Sequence, residues 1–262
     1  MSCAVHAGGL HFVYPNGVVG LDGVDLHVTH GERVAVLGSN GAGKTTLMLH
    51  LNALLTGDGE LEVAGLRVGY DDVHELRARV GLVFQDPDDQ LFMPSEREDV
   101  GFGPLNLGLS RAEAQERIAE ALAAVRMEGL ADRAPHQLSL GQRRRVAIAA
   151  VLAMHPSLLV LDEPSANLDP RTRRELIELL DRVERTMLVV THDLPLAATL
   201  CERAVVLSAG RIVADGSCPD ILADADLLAA HDLELPDGFD LSRLRLRTPV
   251  AHRSPVVVGK LR

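Results

Sequence analysis

The sequence predicts an α/β fold built on a mainly parallel sheet, and three observations predict it. From Arg33 onward, short apolar runs of four or five residues alternate with helical stretches, the pattern of strands covered on both faces. The first 30 residues instead alternate in short stretches broken by Pro15, Gly17, Gly20 and Gly23, as antiparallel strands and turns do. Between Asp86 and about Leu138, Pro87, Pro94 and Pro104 punctuate a segment that reads as a mostly helical insertion.

Taken in order, residues 10–14 and 24–28 read as antiparallel strands, and 33–37 as a buried strand. A Gly-rich turn follows, then a helix over 44–55. Residues 61–68 look like a hairpin strand and 80–84 like a second buried strand. A helix is expected over 111–127, with Ser110 as N-cap and Glu113 three residues on. Another is expected over 142–154, then a buried strand (158–161), a helix (170–183), a strand (186–190), a short helix (194–200) and a strand pair (204–207, 211–214). The last 40 or so residues, with Pro236, Pro249 and Pro255, suggest a small helical appendage and a loose tail. There is no fixed-period repeat, low-complexity tract or long heptad run.

Composition narrows the function. With 262 residues, 47% hydrophobic and 24% charged, the chain is an ordinary globular one rather than a disordered one. Its formal net charge of −11 argues against a protein held on nucleic acid by phosphate contacts. The apolar run 146–154 is far shorter than the roughly 20 residues that cross a bilayer, and the N-terminal stretch lacks the pattern of a secretory signal. Cys3, Cys201 and Cys218 are widely spaced, so neither a disulfide framework nor a metal site is expected; Cys201 and Cys218 read as packing residues in a reducing cytosol.

The 26 basic residues include only two lysines, Lys44 and Lys260. Lys44 closes Gly38-Ser39-Asn40-Gly41-Ala42-Gly43-Lys44-Thr45, which fits G-x-x-x-x-G-K-[ST] after a predicted strand and before a predicted helix. The glycines let successive amides surround phosphate oxygens, and the helix N-terminus adds partial positive charge. Lys44 is a compact charge for the β- and γ-phosphates, and Thr45 offers a hydroxyl to Mg²⁺. Residues 158–164 are four apolar residues followed by Asp162, Glu163 and Pro164. A carboxylate at such a strand end sits near the Mg²⁺ beside a phosphate loop, and Glu163 could orient or deprotonate an attacking water. Together these specify a P-loop NTPase (RecA-like) core sheet, with an N-terminal antiparallel β subdomain and a helical subdomain.

With those motifs placed, the chain resembles the ATP-binding cassette (ABC) proteins. Leu138-Ser139-Leu140-Gly141-Gln142 resembles their signature motif and stands in the family's spacing before Asp162. Gln85 lies at the Q-loop position, Ser165-Ala166-Asn167-Leu168-Asp169 resembles the D-loop, and His192 the switch histidine. Tyr14 lies where the family puts an aromatic under adenine. Together with the phosphate loop and the strand-end acids, these motifs span roughly residues 10–216. The resemblance implies catalytic roles for Glu163, His192 and Gln85, a Mg²⁺ site at Thr45, Gln85 and Asp162, and nucleotide contacts from Tyr14, residues 38–45 and Thr46. Ser139 with Gln142 is itself a capping box at a helix start. In the family that end, with Gly141, faces ATP bound by a second subunit, so two chains sandwich the nucleotide. Leu140 departs from the family, which usually has Gly there. The implied organisation is an ATPase domain over residues 1–216, with its helical signature subdomain at about 86–155, and an appendage and tail over 217–262.

Residues 85–92, 99–109 and 49–52 resemble the energy-coupling-factor importers, most like the cobalt and nickel branch. That implies a peripheral subunit on the cytoplasmic face of the cell membrane. Its partners would be a second ATPase subunit, an integral membrane coupling protein docked on residues 86–105, and a substrate-selecting membrane protein; no nucleic acid is expected. Asp86, Asp88, Asp89, Glu96, Glu98 and Asp99 lie in the docking segment, where they also fit a solvated acidic face. Arg143, Arg144 and Arg145 read as a solvated or salt-bridged helix face. The alternatives are the ATPase of a vitamin importer, or a non-transport cassette of DNA repair or translation. The latter carry a long coiled-coil insertion or two cassettes in one chain, whereas each motif here occurs once. A GTPase is disfavoured because Lys260 does not fit a guanine-reading Asn-Lys-x-Asp.

Overall fold

The computed structural model describes residues 3–236 and 239. Strands β1 (Cys3–Val13) and β2 (Val19–Thr29) pair antiparallel over a greater length than the alternation suggests. Register shifts near Gly9, at positive φ, interrupt the period-two pattern and hide the first part of β1. β3 (Arg33–Leu37) matches expectation, and helix α1 (Lys44–Leu51) stops earlier, with Ala53 just beyond it in the left-handed region. The stretch 61–68 resolves into β4 (Asp58–Val63) and β5 (Leu66–Arg67), turned through Ala64 and Gly65, both at positive φ. Helix α2 (Val73–Arg79), which the sequence reading omitted, starts at the N-cap Asp72 and leads into β6 (Val80–Val83).

The insertion is helical. It holds α3 (Glu96–Asn106), α4 (Arg111–Ala124) and α5 (Leu140–Leu152). Helix α3 also went unpredicted; it contains Gly101, Gly103 and Pro104, residues of low helix propensity. The packing explains the glycines: a Cβ on Gly101 would lie 2.9 Å from Ile118 of α4, and one on Gly103 would lie 2.6 Å from Met154 just past α5. Both boxes expected from sequence are present, Ser110 with Glu113 on α4 and Ser139 with Gln142 on α5. Then come β7 (Leu158–Asp162), α6 (Pro170–Asp181), β8 (Thr186–Val190), α7 (Leu194–Leu200), β9 (Arg203–Ser208) and β10 (Arg211–Ser217). Two short helices, α8 (Cys218–Ala223) and α9 (Ala225–Ala230), follow. The expected tail beyond residue 239 lies outside the described residues.

Among the described residues there are two sheets. One is antiparallel, in the order β2-β1-β4-β5. The other runs β10-β9-β3-β8-β7-β6 and is parallel except for the β9–β10 pair. Strands β3, β7 and β8 are fully buried, and their alternation feeds two cores. Val34, Val36, Leu158, Val160, Leu188 and Val190 face the core shared with the antiparallel sheet and α1. Ala35, Leu37, Leu159, Leu161, Met187 and Val189 face the core shared with α4 to α7. Cys201, Cys218 and Leu222 are buried in that second core, so the two interior cysteines are packing residues. Because β3, β7 and β8 are parallel neighbours, their C-terminal ends share one edge of the sheet.

The acidic segment needs correcting. Glu96 is fully buried and Asp99 is 4% exposed, so neither belongs to a solvated face. Asp99 folds inward to accept the amides of Phe92 and Met93, capping the turn before α3. The basic run is corrected likewise. Arg143 and Arg145 pair with Asp88 and Glu175, but Arg144 is buried.

Candidate functional site

The turn leaving β3 is shaped by glycine. A Cβ on Gly43, at φ 104°, would lie 2.4 Å from the Gly20 carbonyl oxygen, and one on Gly38 would lie 2.3 Å from that of Leu207. Gly43 caps α1 without a side-chain hydrogen bond, and no acid stands in the first turn. The first amides of α1 therefore keep their hydrogen-bonding capacity. The Lys44 ammonium is drawn over the loop, donating to the carbonyls of Gly38 (2.7 Å) and Ser39 (3.0 Å). Burial lowers its pKa, while Glu163 and Asp162 act in the opposite direction.

At the same sheet edge, β7 delivers Asp162 and Glu163. Burial, with Glu163 adding to it, pushes the Asp162 carboxyl up to about 6, and Lys44 works against that rise. Glu163 sits at φ 42°, the left-handed region that a non-glycine residue occupies only when its surroundings hold it there. They do so from three sides. Its Oε1 accepts from the backbone amide (3.0 Å) and Nδ1 (2.7 Å) of His192, and its Oε2 from the Thr191 hydroxyl (3.0 Å). Its own carbonyl accepts from Arg144 of α5 at 2.7 Å.

These elements enclose a cavity of about 290 Å³ lined by Tyr14, Gly20, Asn40, Gly41, Gly43, Lys44, Thr45, Thr46, Gln85, Asp162 and Glu163, with Val18 and Val19 at its mouth. Gly38, Ser39 and Ala42 complete the loop behind it. His192 does not line the cavity; it is exposed and reaches it through Glu163. Ser139, Gly141 and Gln142 do not line it either. Ser139 is exposed at the start of α5, and Gly141 packs against Thr172, whose Cγ2 would be 2.3 Å from an added Cβ. One copy of the chain thus holds the phosphate loop and the signature at separate places.

Thr45, Gln85 and Asp162 present a hydroxyl, an amide oxygen and a carboxylate to one cavity, a hard-oxygen donor set that fits Mg²⁺. The raised Asp162 carboxyl is a site where added positive charge would be favourable. Sequence reasoning missed several supports. Arg144 was hidden in the basic run, although it donates to the Glu163 and Ala166 carbonyls. Gln90 bonds the Phe84 amide and the Ala147 carbonyl, tying the Gln85 segment to α5. Asp193 holds Arg173 at 2.6 and 2.7 Å and the Ser165 hydroxyl at 2.7 Å. Its place two residues before Pro195, as the N-cap of α7, was the available signal.

The family model described as ABC transporter matches residues 21–166. The chain is 57% identical over 243 residues to an ABC transporter ATP-binding protein of Streptomyces coelicolor, covering 92% of this chain and 94% of that one. It is 48% identical over 244 residues to the energy-coupling factor transporter ATP-binding protein EcfA of Methanothermobacter thermautotrophicus, covering 90% of this chain and 78% of that one. Among solved structures, cbiO1 of Clostridium perfringens, described as part of the ABC transporter complex cbiONQ, superposes with a TM-score of 0.78 at 35% identity, covering 90% and 97%. A dimeric ATP-binding cassette bound to ADP and Pi superposes with a TM-score of 0.72 at 29% identity, covering 82% and 98%.

Proposed function

The chain belongs to the ABC transporter family as an ATP-hydrolysing, energy-coupling-factor type subunit, and on that premise we propose that it drives uptake of a transition-metal ion such as cobalt or nickel. The observation that carries the chemistry is the Glu163 carboxylate, fixed by Thr191 and His192 on the wall of the cavity that Lys44, Thr45 and Asp162 also line.

In this reading Lys44 and the free amides of α1 bind the β- and γ-phosphates, and Thr46 adds a hydroxyl. Tyr14 supports the base. Thr45, Gln85 and Asp162 would hold Mg²⁺, which neutralises phosphate charge when bound. Glu163 accepts the proton of the attacking water. His192 keeps that carboxylate aimed and carries its ring to the γ-phosphate side. Ser139, Gly141 and Gln142 complete the site of a second copy or close homologue, which accounts for their distance from this chain's own cavity. The domain reading of 1–216 with an appendage from 217, and the helical subdomain at about 86–155, belongs to the same proposal.

The membrane side rests on the resemblance of residues 85–92 and 99–109 and on the likeness to cbiO1. Phe92 and Phe102 pack edge to face at 5.0 Å, both exposed, within the region proposed to receive the coupling protein. Among the described residues no helix is long and apolar enough to cross a membrane, which fits a peripheral subunit held at the cytoplasmic face by its partners.

Two experiments test this. Glu163→Gln should keep Mg-ATP affinity and lose at least about 100-fold in turnover, the scale of a positioned general base; unchanged turnover removes Glu163 from its role. Co-expression with candidate integral partners should carry the chain into the membrane fraction and give ATP-dependent uptake of radiolabelled cobalt or nickel. Uptake of a vitamin instead would leave the ATPase reading and replace the cargo.

A further inference from the structure

Tyr14 and Thr46, which line the cavity, form a closed circuit with Phe12 and His50, which do not. The Tyr14 hydroxyl meets Thr46 Oγ1 at 2.9 Å. The Tyr14 ring stands edge to face with Phe12, centroids 4.9 Å apart and planes at 84°. Phe12 stands in the same relation to His50, at 4.9 Å and 76°. His50 Nδ1 lies 2.7 Å from the Thr46 carbonyl oxygen, which closes the ring. A Cβ on Gly20 would lie 2.9 Å from both Thr46 and Tyr14, so that backbone floors the Tyr14–Thr46 contact.

His50 is the unexpected member. It is fully buried, and its Nε2 has no hydrogen-bond partner among the described residues. A carbonyl can only accept, so Nδ1 carries the proton and Nε2 presents a bare lone pair to the interior. Leaving a buried acceptor unpaired is costly, and an apolar side chain of that size would avoid the cost. What the imidazole supplies that an apolar group cannot is both a flat edge for Phe12 and a donor for the Thr46 carbonyl.

We infer that His50, acting with Phe12, is a positioning residue that fixes Tyr14 against Thr46 and so sets the nucleobase platform in register with the phosphate-binding helix. The inference rests on the reading that this cavity takes ATP. It separates two parts of the nucleotide: loss of the circuit weakens the grip on the base and leaves the grip on the phosphates.

The chain has two tyrosines and no tryptophan, so in a Tyr70→Phe background tyrosine emission reports Tyr14 alone. Tyr70 is 82% exposed and outside the site. In that full-length background, His50→Asn keeps a donor and loses the ring, and His50→Phe keeps the ring and loses the donor. Both should lower the emission anisotropy of Tyr14. Both should weaken Mg-ATP binding about 3- to 10-fold, the scale of one or two aromatic contacts, with affinity for Mg-tripolyphosphate unchanged. In a Tyr14→Ala background neither should cost more. Equal losses for ATP and tripolyphosphate would assign His50 to the integrity of α1 and overturn the inference, as would unchanged anisotropy and affinity. If the His50 variants do not fold, Phe12→Leu is read by the same criteria. A parent chain that binds ATP no more tightly than tripolyphosphate removes the base platform itself, and the site reading falls first.

Discussion

The N-terminal ends of α1 and α5 carry the two halves of the proposed site, and they are built in opposite ways. Helix α1 starts at a glycine, with no side-chain cap and no first-turn acid, so its amides are left to whatever enters the cavity. Helix α5 starts at Ser139, whose side chain accepts from the Gln142 amide while Gln142 Oε1 accepts from the Ser139 amide at 2.9 Å. One end is left open, for the nucleotide in the proposed reading, and the other is finished by its own side chains. A third end, that of α3, has the acids Glu96, Glu98 and Asp99 in its first turn. In the proposed reading the open end serves its own chain and the self-capped end of α5 stays stable while it waits for a second one; α4, with the same kind of box, shows that capping alone marks no interface.

Lys44→Ala attacks the open end and has the largest expected effect. Mg-ATP affinity should fall about 100-fold, since charge-assisted hydrogen bonds to phosphate are lost, while the thermal stability of the nucleotide-free chain stays close to that of the parent. Calorimetric titration checks this, and retained affinity would move the nucleotide elsewhere.

Glu96→Gln tests the acid-loaded end. Burial raises the Glu96 carboxyl to about 7, with Arg133 opposing the rise and Asp99 adding to it, and neither of its oxygens has a hydrogen-bond partner among the described residues. The folded state thus holds a proton that the unfolded chain releases near its ordinary value of 4.5. The Glu96 contribution to stability is therefore full below pH 4.5, declines as pH rises to 7, and stays low above that. Denaturant titrations across that range should show a loss of up to a few kcal/mol from this group, and Glu96→Gln should remove it and melt higher than the parent at pH 8. An unchanged difference between pH 5 and pH 8 would show that the carboxyl is solvated or paired.

Ser139→Ala sharpens the contrast at the capped end. Loss of the cap costs about 1 kcal/mol of stability, and ATP affinity of the dilute chain should not change. Turnover at high protein concentration should fall about tenfold, because a hydrogen bond to the neighbour's phosphate is lost. Reduced affinity in the dilute chain would place Ser139 in its own chain's site. Leu140→Gly is the mildest change. It should lower stability by less than about 1 kcal/mol and leave dilute ATP affinity alone, as measured by thermal melting and the same titration.

The residues that were legible in the sequence were those whose work is local. The phosphate loop, the acids at the end of β7 and both capping boxes are short-range patterns, and a pattern of that kind states its own geometry. What stayed hidden depends on packing between distant segments. Gly101 and Gly103 look like breakers until Ile118 and Met154 are seen pressed against them. Glu96 and Asp99 look solvated until the turn before α3 folds over them. Arg144 stands between two half-buried, salt-bridged arginines and differs from them in donating to main-chain carbonyls instead of carboxylates.

That last residue has a mechanical consequence. The buried Arg144 guanidinium anchors α5 to the main chain at Glu163 and at Ala166. The helix cannot shift along its axis without either dragging that turn with it or breaking hydrogen bonds from a desolvated cation. A displacement of the insertion would therefore reach the backbone that carries the Glu163 carboxylate directly, through these two hydrogen bonds.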